Sequence, residues 1–514
     1  MQTAPTVQEP EQGRSRFLEG SLAVVALGLA VGYTWNRYWA PFDIFMYLGA
    51  VREFATSGFD ASHPFAVDAD NSPYLSPYTM VLGFVSRLTG LSPVVVLQIA
   101  ALVNGAALAA ALVRFARTFT NSRWVGTILI VTTLFCWGWS PWQWAGYFNA
   151  NGIGSVLPLG STFAAVCVLV GLASALKWLQ GQPWGHLAAV GATFALAIVT
   201  HPMTALWGVL ICGGFILSTG VAVRRAGLAV VGLGAFLVTI AWPYYSVLDL
   251  FSAAGNASNE ILAPNARVLR LVPLRTFLAV PGLVALWARW RSSHRDPLMA
   301  ASACVGAVFM FALLTGHGVL GRTLPGLMLC IHTAMAVWMA DYLAQRAPRT
   351  AKEASKDPVI LGAAVILLVG ITANAPGLVR AVPRPWLPEQ LQTRAGLSRV
   401  APYLALLPGP ISPGDTMIAS EDLSLGAVAV SAKSISPPVE PPLWTAAEIR
   451  SRADIQQQLF HENLPWNERV ALLREHHVDW LVLNPGDLVR LEVPTDLIVK
   501  TQPDFGSIVR VPRS

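Results

Sequence analysis

Long apolar runs separated by short polar turns dominate this chain. Windows long enough to cross a bilayer, roughly 20 predominantly apolar residues, fall at 18–36, 93–113, 124–141, 157–176, 184–200, 202–220, 226–246, 274–290, 297–315, 323–343 and 358–376. The pattern predicts a polytopic α-helical membrane protein of about eleven spans. A further patch, Tyr78–Leu91, is short and carries Arg87, so it predicts a helix lying along the interface. After Asn374 the text turns Pro-rich (AVPRPWLPEQ) and less apolar, and residues 377–514 read as a small soluble α/β domain. Its expected strands are TMIAS, AVAVSA and DWLVLNP. Its expected helices are one opened by Thr445 with Glu448 as a capping box, and NERVALLREHH. VKTQPDFGSIVRV reads as a closing hairpin.

Charge orients the spans. With the N-terminus inside and Tyr78–Leu91 lying in the interface, the inner loops hold Arg114, Arg117 and Arg123, then Lys177, then Arg224 and Arg225. The next two hold Arg289, Arg291 and Arg295, and Arg346, Arg349, Lys352 and Lys356. Every short basic cluster then lies on one side, as the positive-inside rule requires. Counting Tyr78–Leu91 as a full span breaks that order. Residues 1–17 become a cytoplasmic tail, and the absence of a small-residue cleavage site makes 18–36 a retained first span. Residues 18–376 form the transmembrane domain, and the C-terminal domain is extracytoplasmic.

Composition changes little in this picture. A charged fraction of 12% against 54% hydrophobic residues excludes an ordinary soluble domain, which carries roughly 25% charged residues. The net charge of +6 is held in the inner loops and gives no reason to invoke nucleic acid. The five cysteines lie in or beside apolar runs without metal-like spacing and read as small buried hydrophobes.

The polar residues collect on the outer face. The segment 41–78, PFDIFMYLGAVREFATSGFDASHPFAVDADNSPYLSPY, is too polar to cross and too aromatic for disorder. It gathers Asp43, Arg52, Glu53, Asp60, His63, Asp68 and Asp70, and reads as the active-site loop of a membrane enzyme. On the same side lie WGWSPWQWAGYFNANG with Asn151, the turn Thr200–Pro202 with His201, 249–270, and GHGVLGR with His317 and Arg322.

APFDIFMYLGAVREF, the interfacial SPYTMVLGFVSRLTG, the basic inner loop, the many spans and the C-terminal helix–VDWLVL unit together resemble the GT-C superfamily of membrane glycosyltransferases. That group includes protein O-mannosyltransferases and lipid A aminoarabinose transferases. The resemblance implies transfer of a sugar from a polyprenyl-phosphate donor to an extracytoplasmic glycan, lipid or protein, with inversion, and membrane lipids as surroundings. It implies a loop carboxylate that activates or positions the acceptor. Where the family often carries paired acids, this chain has a single Asp43 between Phe42 and Ile44, so no paired acidic motif supports a divalent metal and no cofactor is assigned.

On this reading Asp43 is the catalytic residue; a bland alternative is an interfacial helix cap. Arg322 and His317 are candidate donor-phosphate groups, because an arginine at an outer span mouth calls for an anionic partner. Tyr47, Arg52, Glu53, His63, His201 and Asn151 are substrate-binding candidates. His332, deep in its span, reads as a histidine bonded to a neighbouring helix. A lipid-linked-sugar transporter or flippase, and a non-catalytic cell-envelope assembly protein, are the competing classes. The one-sided distribution of polar residues and the lack of repeated halves weigh against a transporter.

Overall fold

The computed structural model describes residues 28, 31–32, 41–139, 142–250, 267–346, 356–392, 400–407, 409–437, 446–462 and 464–512. Six helical stretches are long and apolar enough to cross a membrane: Pro93–Ala116, Gly160–Leu179, Ala222–Ile240, Val272–Ser292, Pro297–Thr315 and Gly318–Arg346. Pro358–Ala373 and Ala375–Ala381 form a further pair, bent by 63°. Val125–Phe135, Trp184–Thr200 and Pro202–Ser218 are shorter apolar helices. Every expected window from residue 93 onward thus contains apolar helix. The expected first span lies almost wholly outside the described residues.

Large side chains such as Val230, Leu233, Leu237, Leu314, Val365 and Leu368 are exposed. An apolar exterior of this kind suits hydrocarbon rather than water. The helices approach closely where one lacks a side chain. Gly214 lies on the backbone of Ala301, Gly282 on the Ile331 carbonyl and Gly326 on the Trp207 ring, as expected where small residues let helices meet in lipid.

One span is shorter than its hydropathy suggests. The 124–141 window yields helix only over Val125–Phe135. There His332 Nε2 takes the Cys136 carbonyl at 3.0 Å, and the Trp137 indole donates to Thr133 O at 2.8 Å. The chain then continues as a non-helical layer in which Trp142, Tyr147 and Asn149 are buried. Irregular backbone at this depth is tolerated because protein, not lipid, surrounds it.

Outside the spans, Pro41–Ser57 and Pro77–Thr89 form a helical pair. The first is buried continuously from Ile44 to Val51, with Phe54. The second opens with a capping box between Ser76 and Thr79, and its Gly83 admits Phe54. The second helix coincides with the Tyr78–Leu91 patch. Tyr78 OH donates to Pro158 O at 2.7 Å and accepts from Asn104 of a span at 3.0 Å, tying it to the bundle.

The C-terminal region carries a five-stranded sheet ordered β2-β1-β3-β5-β4. β1 (Thr416–Ala419) runs parallel to β2 (Lys433–Ser434) and β3 (Trp480–Leu483), while β5 (Gly506–Arg510) is antiparallel to β3 and β4 (Ile498–Gln502). The expected strand over AVAVSA is instead the C-terminal half of a helix, Glu421–Val430. A short apolar run reads as buried strand or buried helix equally well. Here Glu421 and Asp422 occupy the first turn, where the helix dipole favours them. The helix Ala446–Phe460 follows the expected cap, although Thr445 lies outside the described residues.

Domain and loop are built into each other. Ser434 N donates to Phe65 O at 2.8 Å and Val67 N to Ser434 O at 3.1 Å, so the loop runs along the free edge of β2. One hydrophobic cluster extends from Ile44, Phe45 and Leu48 through the spans to Tyr403, Met417 and Val428.

Candidate active site

Asp43 lies in the first turn of Pro41–Ser57, with Tyr47 one turn later on the same face. Tyr47 packs edge-on against Tyr74 and Tyr78, with ring centroids 5.7 and 6.2 Å apart. Burial pushes the Asp43 carboxyl above its ordinary value, and the positive charge of Arg322 pulls it partly back. The same burial raises the Tyr47 and Tyr74 phenols, assisted by the Asp43 charge. Both phenols therefore stay protonated as hydrogen-bond donors beside a carboxylate.

Arg322 ends the short turn Gly318–Gly321 and precedes the long span helix Leu324–Arg346. Its charge acts on Asp43, Tyr74, Tyr147 and His201, four groups from four separate segments. Among the described residues the ion pairs within 4.0 Å are Arg289–Asp296, Lys433–Glu53 and Arg490–Asp487. Asp43 and Arg322 thus act on one another electrostatically without forming an ion pair within 4.0 Å.

His201 ends the helix Trp184–Thr200 and caps Pro202–Ser218. Its Nδ1 accepts from Thr204 N at 3.1 Å and lies 2.8 Å from Thr204 Oγ1. Burial and the Arg322 charge push its imidazole down to about 3, so it stands neutral. Gly146 is in contact distance of Thr204 Oγ1 and Pro325, which brings the Tyr147 segment alongside. Gly160 leaves space only for the Tyr47 hydroxyl and Thr200.

Asp43, Tyr47, His201 and Arg322 therefore lie in one neighbourhood. Arg52, Glu53 and His63 do not join them. Arg52 donates to the carbonyls of Val428 and Pro64, the latter at 2.6 Å. Glu53 pairs with Lys433 at 3.0 Å and accepts from Ser57 Oγ and Ser62 N. The imidazole of His63 accepts from Ala66 N at 3.1 Å. Burial, together with Lys433 and Arg452, pushes it down to about 3. Arg52 and Glu53 fasten the loop to the C-terminal domain, while His63 holds a turn within the loop that lies under the charges of Lys433 and Arg452. His317 is exposed, its ring 6.1 Å from Phe311 on the preceding span. Asn151 is held by Asn374 at 3.1 Å and, more loosely, by Arg380.

Tyr74 and Arg275 are not singled out by the sequence, whereas the aromatic run ending at Tyr147 reads equally as a sugar-stacking surface or an interface belt, and Thr200 enters only as part of the Thr200–Pro202 turn. Arg275 lies over the Trp142 ring at 4.6 Å, and its charge, like that of Arg322, acts on Tyr147. Their types carry no signal of their own; Tyr147 sat in a Trp-rich run that an interface belt explains equally well. Among the described residues no group of three or more His, Cys, Asp or Glu could hold a metal ion. The neighbours of Asp43 are phenols and a guanidinium, which suit an anion and a polar organic group.

No family model matches the chain, and no curated protein matches it by sequence. Solved structures do match by fold. ArnT from Cupriavidus metallidurans in the apo state superposes with a TM-score of 0.55 at 15% identity, over 96% of this chain and 97% of that one. The arabinofuranosyltransferase AftD from Mycobacteria gives 0.58 at 14%, over 96% of this chain and 40% of that one. The Archaeoglobus fulgidus oligosaccharyltransferase tethered to an acceptor peptide gives 0.52 at 12%, over 91% and 69%. ArnT has also been solved bound to undecaprenyl phosphate, and that form matches with a TM-score of 0.54. The chain thus shares the fold of these proteins.

Proposed function

We propose that this protein is an integral-membrane glycosyltransferase that moves a sugar from a polyprenyl-phosphate donor to an extracytoplasmic glycan, lipid or protein. The observation that carries the reading is that a buried carboxylate, Asp43, and an arginine, Arg322, act on one another without forming an ion pair within 4.0 Å, on a fold shared with lipid-dependent glycosyltransferases. An acceptor hydroxyl attacks the anomeric carbon while the Asp43 carboxylate takes its proton. The bond from that carbon to the phosphate oxygen breaks, and the polyprenyl phosphate leaves with the electron pair against Arg322. Attack opposite the leaving group inverts the anomeric centre. Tyr47 and Tyr74, protonated beside Asp43, position the carboxylate or the acceptor. His201, neutral, holds the wall behind Arg322. His317 is reserved for an auxiliary contact with the lipid headgroup.

The same reading places eleven spans in the membrane, the N-terminus inside, and residues 377–514 outside with the loop 41–78. Transport of a lipid-linked sugar is the competing class, and it needs neither a base nor an acceptor. The test is transfer by the purified protein from undecaprenyl phosphate carrying a radiolabelled sugar to membrane extracts. Asp43→Asn is expected to lower turnover by about a hundredfold or more. Near-parental turnover by a well-folded Asp43→Asn variant would remove the base, and labelled lipid crossing vesicles without transfer would favour transport.

A further inference from the structure

Two side chains beside the Asp43–Arg322 pair carry hydroxyls that nothing in the protein uses. Tyr147 is 0% exposed and Thr200 4% exposed, and neither Tyr147 OH nor Thr200 Oγ1 has a hydrogen-bond partner. Buried hydroxyls normally find a partner, so an orphan at a site points to a ligand. The two come from different segments but the same neighbourhood. Thr200 precedes His201 and, with the Tyr47 hydroxyl, closes on Gly160. Tyr147 follows Gly146, where an added Cβ would lie 3.9 Å from Thr204 Oγ1 and from Pro325, and the Arg322 charge acts on Tyr147. Nearby, Thr204 bonds His201, and Tyr78 bonds Pro158. Ser161 Oγ, next to Gly160, and Thr133 Oγ1 and His332 Nδ1, around Trp137, also lack a partner; Tyr147 and Thr200 are the ones whose segments reach the neighbourhood of Arg322.

We infer that Tyr147 and Thr200 form a sugar-reading subsite, exchanging hydrogen bonds with ring hydroxyls of the glycosyl group held between Asp43 and Arg322. This rests on the function proposed above and extends it to the part of the donor that is read. A hydroxyl both donates and accepts, as a sugar hydroxyl does, whereas a phosphate ester oxygen only accepts and already has Arg322. A site built to bond hydroxyls also discriminates strongly against a sugar that lacks one, because its own groups are then left unpaired.

The experiment uses the full-length protein in lipid nanodiscs, with undecaprenyl phosphate and with undecaprenyl phosphate bearing a hexose, a pentofuranose or an amino sugar as probes. Tyr147→Phe and Thr200→Val remove one hydroxyl each and keep the shape; Thr200→Ser keeps the hydroxyl. Each removal is expected to weaken binding of the preferred glycosylated donor by about tenfold, to leave undecaprenyl phosphate binding unchanged, and not to lower the melting temperature. Thr200→Ser is expected to bind as the parent. Equal weakening of both ligands would make these phosphate contacts and overturn the inference, as would donor binding unchanged from the parent. A parent that binds no glycosylated donor overturns the proposed function and this inference together, whereas a parent that transfers while the variants match it overturns the inference alone.

Discussion

Asp43 is held in an environment that works against its own ionisation. Its carboxyl is raised by burial in the native protein and ordinary in the unfolded chain. A raised carboxyl contributes stability below the unfolded value, about 3.9, and that contribution is lost as pH rises through the folded value. Above its folded value the ionised Asp43 costs stability, and Asp43→Asn should melt at the parental temperature or above while losing turnover. The acid limb of the rate profile should lie above pH 3.9 and vanish from what activity the Asn variant keeps; a limb at the ordinary carboxyl value would remove the burial argument. Arg322 makes a different demand. A planar, permanently charged fork matches a phosphate in a way that an ammonium only partly reproduces. Arg322→Lys should keep weak transfer, and Arg322→Ala should lose donor binding and rate together. Parental binding of undecaprenyl phosphate by Arg322→Ala would reduce Arg322 to an interface anchor.

The elements around the pair act as a mount. The helix Pro41–Ser57 presents Asp43 at one end and is clamped at the other by Arg52 and Glu53 to the C-terminal domain. Glu53 has a side chain only 4% exposed, so Lys433→Met leaves a buried charge unpaired and should destabilise by about 3 kcal/mol. Adding Glu53→Gln should restore much of that loss; a double variant as unstable as the sum of the two singles would show that the pair is not coupled. His63 adds a pH dependence to the same loop. Its folded value of about 3 lies below the unfolded 6.5, so its contribution is full above pH 6.5 and is lost as pH falls towards 3. Thermal melts of the parent should fall in that window, and His63→Gln should flatten the fall. Melts with the same slope in both proteins would assign the acid sensitivity elsewhere.

For the molecule as a whole, the bundle, the outer helical layer and the C-terminal sheet share one hydrophobic cluster. This continuity means that the site cannot be excised from the domain that covers it. On the topology proposed from the basic loops that domain lies outside the cytoplasm. A periplasmic-type reporter fused after Ser514 should be active and a cytoplasmic one silent; the reverse pattern would invert every assignment of face made above.

The sequence by itself determined the helical membrane architecture, because spans must satisfy their backbone internally and so announce themselves as long apolar runs. It also led to the expectation that the polar groups share one face, and drew attention to Asp43 and Arg322, since a charge at a span mouth is conspicuous in so apolar a chain. Only the tertiary structure decided which charges work together. Arg52, Glu53 and His63 have the same composition and loop context as Asp43, yet their partners, Val428, Lys433 and the strand-like edge at Phe65–Val67, come from the far end of the chain or from a local turn. The unpaired hydroxyls of Tyr147 and Thr200 were unreadable for the same reason. What distinguishes them is a missing partner, and a missing partner is a property of three-dimensional packing that no spacing along the chain records.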